Sequence, residues 1–227
     1  MVDTQQLQSA PQCVSGVAEV AAQRASASPE HLTHALEVTS YFPLDVDTVS
    51  RMLESLCERD DISMLERDSI AYVHIDEPDA YNLRMLDIDA SEHLTSNTSL
   101  LKHLAVLRSD DVWMRRVRDQ HALLRVAAQA RDATLELSYF SNRSDLPSAK
   151  IQSVLNDLGA SGQILVSVDD DAGVVRYTFP DFDYPKRRHQ QNMQLLDELE
   201  SSPVRPGLLI AVAVAVLVAF ALALSLR

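Results

Sequence analysis

From Gly207 to Leu226 the chain carries no charged side chain, only Ala, Val, Leu, Ile, one Phe, one Gly and one Ser. Roughly 20 residues at about 1.5 Å rise reach about 30 Å, the thickness of a bilayer's hydrocarbon core. A helix of that length with no polar face has no ordinary place in a small soluble core. The expectation is a single C-terminal transmembrane helix over 207–226, so the rest of the fold must be built upstream of it.

The flanks orient the span. Lys186, Arg187, Arg188 and Arg205 lie before it and only Arg227 lies after it, which predicts that the preceding residues face the cytoplasm. The same four cations are the candidates for contact with anionic lipid headgroups. The opening "MVDTQQLQSAPQ" has neither a basic start nor an apolar run, so no signal peptide is read there. Cys13 and Cys57 form no paired framework, in keeping with a reducing compartment. With nothing read beyond the span, these features resemble the tail-anchored class of membrane proteins. Gly207, Ala211, Ala215, Ala219 and Ala223 recur every fourth residue, a small-residue ridge suited to self-association and hence to a homodimer. A plain Ala-rich span is the alternative, because Ala213 and Ala221 fall off the ridge.

Upstream, letters recur. "VAAQ" stands at Val20–Gln23 and at Val126–Gln129, and "LEVTSYF" at Leu36–Phe42 returns as "LELSYF" at Leu135–Phe140. Periodicity recurs as well: Val49, Met52, Leu53 and Leu56 form one apolar helical face, and Ile151, Val154, Leu155 and Leu158 form another with the same spacing. Ile62 and Ile164 each open a strand after a short turn. Ala71, Val73, Ile75 and Val175, Tyr177, Phe179 alternate as half-buried strands do. In the second copy the expected elements are helix 112–131, strand 134–137, helix 138–144, helix 147–158 and a hairpin over 163–179. The predicted organisation is a flexible N-terminus 1–9, a first unit 10–76, a connector 77–111, a second unit 112–181, a juxtamembrane linker 182–206 and the span. Leu100, Leu104 and Leu107 mark a short amphipathic helix in the connector.

"TVSRMLESLCERDDI" and "SAKIQSVLNDLGASGQI" resemble the third helix and strand entry of winged helix-turn-helix domains. The implied fold class is α+β and helix-rich, with two winged-helix-like units before the transmembrane helix; the alternative is a single α+β domain in which the echoes are coincidental. Such domains commonly bind DNA, which requires cations against the phosphates. Here Asp45, Asp47, Glu54, Glu58, Asp60 and Asp61 outweigh Arg51 and Arg59 around the first third helix, and the second offers only Lys150 against Asp157. Asp169, Asp170 and Asp171 occupy the second hairpin tip, so nucleic acid is disfavoured. Arg115, Arg118 and Arg125 share one face of a helix whose other face is Trp113, Val117, Leu124 and Ala128. In a chain with 33 acids against 20 Lys and Arg, an internal or protein-partner contact suits that arginine face best. Tandem winged helices also serve as protein-binding modules in endosomal-sorting subunits and kleisin-associated segregation proteins, and the resemblance supplies that precedent.

Catalytic signals are lacking. The five glycines form neither a phosphate-cradling loop nor a dinucleotide fingerprint, and there is no G-x-S-x-G elbow. His31 and His34 beside Glu30 have metal-like spacing but no further ligand group. Cys57 continues an apolar face and reads as core, and His74 reads as an exposed strand neighbour. No enzyme activity, cofactor or metal is therefore expected. The expected function is a membrane-tethered cytoplasmic adaptor that recruits a protein partner, with Asp169, Asp170, Asp171, Lys150, Arg115, Arg118 and Arg125 as candidate contacts and a basic partner as the favoured kind. The alternative is a membrane-anchored transcription regulator.

Overall fold

A computed structural model describes residues 11–80, 110–169 and 173–201. The fold is helix-rich α+β with small sheets. It begins with helix α1 (Pro11–Ala27), a short strand β1 (Leu32–Thr33), helices α2 (Ala35–Thr39) and α3 (Val46–Leu56), and a hairpin of β2 (Ile62–Arg67) and β3 (Ile70–Ile75). A 3-10 turn, Pro78–Ala80, follows. The order then recurs: α4 (Asp111–Ala128), β4 (Thr134–Glu136), α5 (Leu137–Ser141), α6 (Ser148–Ala160), β5 (Leu165–Asp169) and β6 (Val174–Thr178). A last helix, α7 (Lys186–Ser201), follows. The two antiparallel sheets have the same topology, β1-β3-β2 and β4-β6-β5, with the last strand in the middle.

Local chemistry explains the boundaries. Asp45 caps α3 by accepting from the Thr48 amide at 3.0 Å, the usual service of an acidic residue to an otherwise unpaired N-terminal donor. The α3 face of Val49, Met52, Leu53 and Leu56 is buried, as is the α6 face of Ile151, Val154, Leu155 and Leu158. Asp68 and Ser69 both take positive φ between β2 and β3, the conformation a two-residue hairpin turn demands. On the β6 side Gly173 supplies positive φ in a longer turn.

The two halves correspond at a constant difference of 102 in residue number up to the hairpins. The bonds Ser28 N–Ala25 O, Tyr41 N–Val38 O and Val49 N–Asp45 O recur as Ala130 N–Ala127 O, Arg143 N–Phe140 O and Ile151 N–Pro147 O. The helical faces and the pair Ile62 and Ile164 obey this difference. The repeated letters do not: Val20 corresponds to position 122 and not to 126, and Leu36 corresponds to Ser138 and not to Leu135. Helical pattern, which packing selects, keeps the register. Short strings of common letters drift from it by about a turn.

A single hydrophobic cluster runs through both halves, joining Leu36, Phe42 and Leu53 to Val117, Leu124, Phe140 and Tyr177, and to Tyr184 and Leu196 from the final segment. No helix among the described residues is long and apolar enough to cross a membrane. The connector leucines Leu100, Leu104 and Leu107, the tip residues Asp170 and Asp171, Arg205, and the ridge Gly207, Ala211, Ala215, Ala219 and Ala223 lie outside the described residues.

Candidate interaction face and the seam behind it

The two halves meet on the N-terminus of α3. Asp45 is fully buried, and its carboxylate accepts from the Thr48 amide and hydroxyl, from Trp113 Nε1 at 2.6 Å and from Arg116 at 2.7 Å. Arg116 also reaches Asp47 at 3.4 Å. One turn further along α4, Gln120 Oε1 accepts from the Val46 amide at 2.9 Å, which satisfies another donor of the first turn of α3. From the far side of the second half, Gln163 donates to Ser50 at 3.2 Å and the Gly162 carbonyl accepts from the Ala71 amide of β3. Cap, helix dipole and cross-half ion pair therefore converge on one buried carboxylate.

The segment from Asp181 to Ser201 crosses this seam as a strap. Phe182 and Tyr184 are buried, and α7 runs antiparallel to α4: Arg118 meets Asp197 and Glu200 at one end, while Tyr184 meets His121 at the other. Arg188 donates to Ser40 Oγ at 2.8 Å, pairs with Asp183 and lies 3.9 Å above the Tyr41 ring. Asn192 donates to the Ser40 carbonyl and to Tyr184. The sequence reading treated 182–206 as a linker. Instead Leu196 is fully buried, and Met193 and Leu199 pack against the core. The signal was their helical spacing together with two aromatic residues just before it.

The result is a marked asymmetry between the halves. Every residue of α2 is buried, and on α3 so are Val46, Thr48 and Ser50, which face neither the hairpin nor α1 by periodicity alone. At the corresponding places of the second half, Ser148, Lys150 and Gln152 are exposed, and Phe140 alone of α5 is buried. The α5–α6 face also exposes Ala149, Ser153, Asn156 and Asp157. Its hairpin adds Val168, 61% exposed.

The charges on these surfaces are largely tied to one another. Lys150 pairs with Asp119 at 3.1 Å, Asp169 with Arg176 at 2.8 Å, and Arg118 with two carboxylates of α7. Arg115 is exposed and bonded to the Asp111 carbonyl. Arg125 is half-buried beside Tyr184 and His189, so the three arginines grouped by spacing have three different environments. Arg188 is turned inward, while Lys186 and Arg187 are exposed. They sit at the end of α7 away from Ser201, and its 16 residues put about 24 Å between the two ends.

His34 accepts from the Glu37 amide at Nδ1 and meets the Asp181 carbonyl at Nε2, so both ring nitrogens are engaged. His31 stacks at 6.4 Å on His74, which lies 3.3 Å from Asp76. Among the described residues no group of three or more His, Cys, Asp or Glu side chains is arranged to hold a metal. Burial raises the Cys57 thiol above its ordinary range, which keeps it protonated. Shallow clefts of about 360 and 320 Å³ occur at corresponding places, one beside Glu136 and Tyr139, the other beside His34 and Glu37. In the second of these Arg24 is paired with Glu37 at 2.6 Å. The chain matches no protein-family model and no curated protein.

Proposed function

We propose that the chain is a membrane-tethered adaptor: two winged-helix-like units on the cytoplasmic side of a membrane, held there by the span 207–226 and recruiting a protein partner. The element order of each half, helix, strand, two helices and a hairpin, supports this reading. The observation that carries the reading is the asymmetry of the third helices. In the first unit the Val46, Thr48 and Ser50 face of that helix is covered by α4 and Gln163, which leaves Arg51, Glu54 and Ser55 exposed and closes the face that is open in the second unit. In the second unit the helix lies open, polar and weakly charged. A face of this kind suits a protein surface better than a phosphate backbone, whose binding depends on uncommitted cations. Lys186 and Arg187 remain the residues suited to lipid headgroups, provided that α7 lies along the membrane rather than upright.

A photo-reactive side chain at Gln152, on the open face, is expected to give one discrete cross-linked species in cells, whereas the same group at Glu54 on α3 gives none. Absence of any adduct from Gln152 would sink the adaptor reading. A second measurement addresses the regulator. Fluorescence anisotropy of the full chain in detergent with random duplex DNA at about 50 mM salt is expected to show no binding, although low salt exaggerates phosphate contacts. Micromolar binding that collapses with added salt would instead make the chain a membrane-anchored DNA-binding regulator.

A further inference from the structure

Two buried histidines, and a third, half-buried one on the segment itself, meet in the same stretch of chain. His34, at the start of α2, meets the Asp181 carbonyl through Nε2 at 3.0 Å. His121, on α4, meets Tyr184 Oη at 2.6 Å through Nδ1 and the Leu44 carbonyl at 2.8 Å through Nε2. His189 lies on the strap itself, its ring 5.6 Å from that of Tyr184.

The hydrogen bonds that hold the strap at both anchors are those of a neutral imidazole. A carbonyl can only accept, so His34 and His121 both donate from Nε2. Nδ1 of His34 then accepts from the Glu37 amide at 3.4 Å, and Nδ1 of His121 accepts from Tyr184. Tyr184 in turn accepts from Asn192, which also donates to the Ser40 carbonyl. The chain of donors runs from Asn192 through Tyr184 and His121 to Leu44, and its Tyr184–His121 link needs a neutral imidazole. A proton on Nδ1 of His121 would oblige the buried Tyr184 hydroxyl, which already accepts from Asn192, to turn its own hydrogen away, and one on Nδ1 of His34 would face an amide N–H. His189 has no acceptor for a second proton, since its Nδ1 is buried without a partner. The seam has little margin there, because Asn192 Oδ1 and Arg125 Nε are buried and unpartnered as well.

We propose that the segment 181–201 is an acid-released strap, docked while His34, His121 and His189 are neutral and detached when they take up protons. The groups that face them are few. Glu37, Arg24, Asp181 and, from β3, Tyr72 surround His34; Asp45, Tyr184 and His189 surround His121; Arg125 and Tyr184 adjoin His189. Carboxylates therefore oppose the shift at His34 and His121, but burial outweighs them. It lowers His34, and it takes His121 and His189 down to about 4, with the Arg125 charge assisting at His189. A freed histidine titrates near 6.5. Docking is therefore fully favoured above pH 6.5 and is lost as pH falls towards 4. Between pH 7.5 and 5, each of His121 and His189 shifts the equilibrium towards release by about 30-fold, and the two together by about 1,000-fold. Release would uncover Tyr41 and the stretch of α4 around His121, leaving Trp113 and Asp45 covered, without requiring the two halves to part.

Hydrogen exchange of the full chain in detergent micelles tests this, after correction for the intrinsic dependence of exchange on pH. Protection of α7 is expected to fall by about 1,000-fold between pH 7.5 and 5. The amides of α3 should stay protected, and emission from the single tryptophan, Trp113, should not move. His189→Gln, which replaces a ring with one unpartnered nitrogen, should reduce the fall to about 30-fold. Unchanged α7 protection in the native chain overturns the proposal. So does loss of α7, α3 and Trp113 signals in one step, which is ordinary acid unfolding, and so does a His189→Gln chain with the native pH profile.

Discussion

Asp45→Ala is expected to destabilise the protein by about 3–5 kcal/mol, the cost of breaking a buried charge pair by removing one partner. The substitution does three things together. It removes the cap of α3, which alone costs about 1 kcal/mol. It leaves the Trp113 indole N–H, in a side chain only 6% exposed, without its acceptor, worth about 1–3 kcal/mol. It also separates the two halves electrostatically, although Arg116 is 40% exposed and regains part of its hydration. For a chain of this size the melting temperature should drop by about 10 °C. Asp45→Asn should fall between the two, because an amide oxygen can still cap α3 but carries no charge for Arg116. Thermal melts followed by Trp113 emission report both the loss of stability and the wetting of the seam. A loss under about 1 kcal/mol for the alanine variant would mean that apolar packing alone holds the halves together.

The parts of this fold that were legible in the sequence are those that apolar periodicity specifies. The faces of α3 and α6, the strands opened by Ile62 and Ile164, and the alternation of Val73 with Ile75 all point to buried sides that the structure buries. The seam was not legible, for a physical reason. Its contacts are made by Asp45, Arg116, Gln120, His121, Arg188 and Asn192, and polar side chains in a sequence carry no mark of burial until their partners are known. Asp45 and Arg116 are far apart in sequence and meet only because the second half docks on the cap of α3. The same ambiguity hid the strap. On α7 the polar residues that look outward by composition, Arg188 and Asn192, are the ones turned towards Ser40. The arginine face of α4 was legible as a face but not as a set of contacts, since Arg115, Arg118 and Arg125 differ in what surrounds them.

The two repeats also provide an internally controlled test of which helix is available to a partner. Val46 and Ser148 occupy the same place, the first residue of the third helix in each half. Val46 is fully buried and its amide is bound by Gln120, whereas Ser148 is exposed. Val46→Lys forces an ammonium group into the seam beside Arg116, where it has neither water nor a spare carboxylate, since Asp45 already accepts four bonds. The expected loss is about 3 kcal/mol or more, as for other buried and unpaired charges. Ser148→Lys places the same group in solvent and should change stability by no more than about 0.5 kcal/mol. Chemical denaturation of the two variants gives both numbers. Equal and small effects would mean that the halves separate readily in solution, which would return the first unit's third helix to the list of surfaces a partner can reach. A large difference keeps the Val46, Thr48 and Ser50 face inside the molecule, and every hypothesis of recognition through that face of α3 then fails. The search for a partner then turns first to α5, α6 and the second hairpin, where Ser148, Gln152, Ser153 and Val168 are exposed and can be changed one at a time.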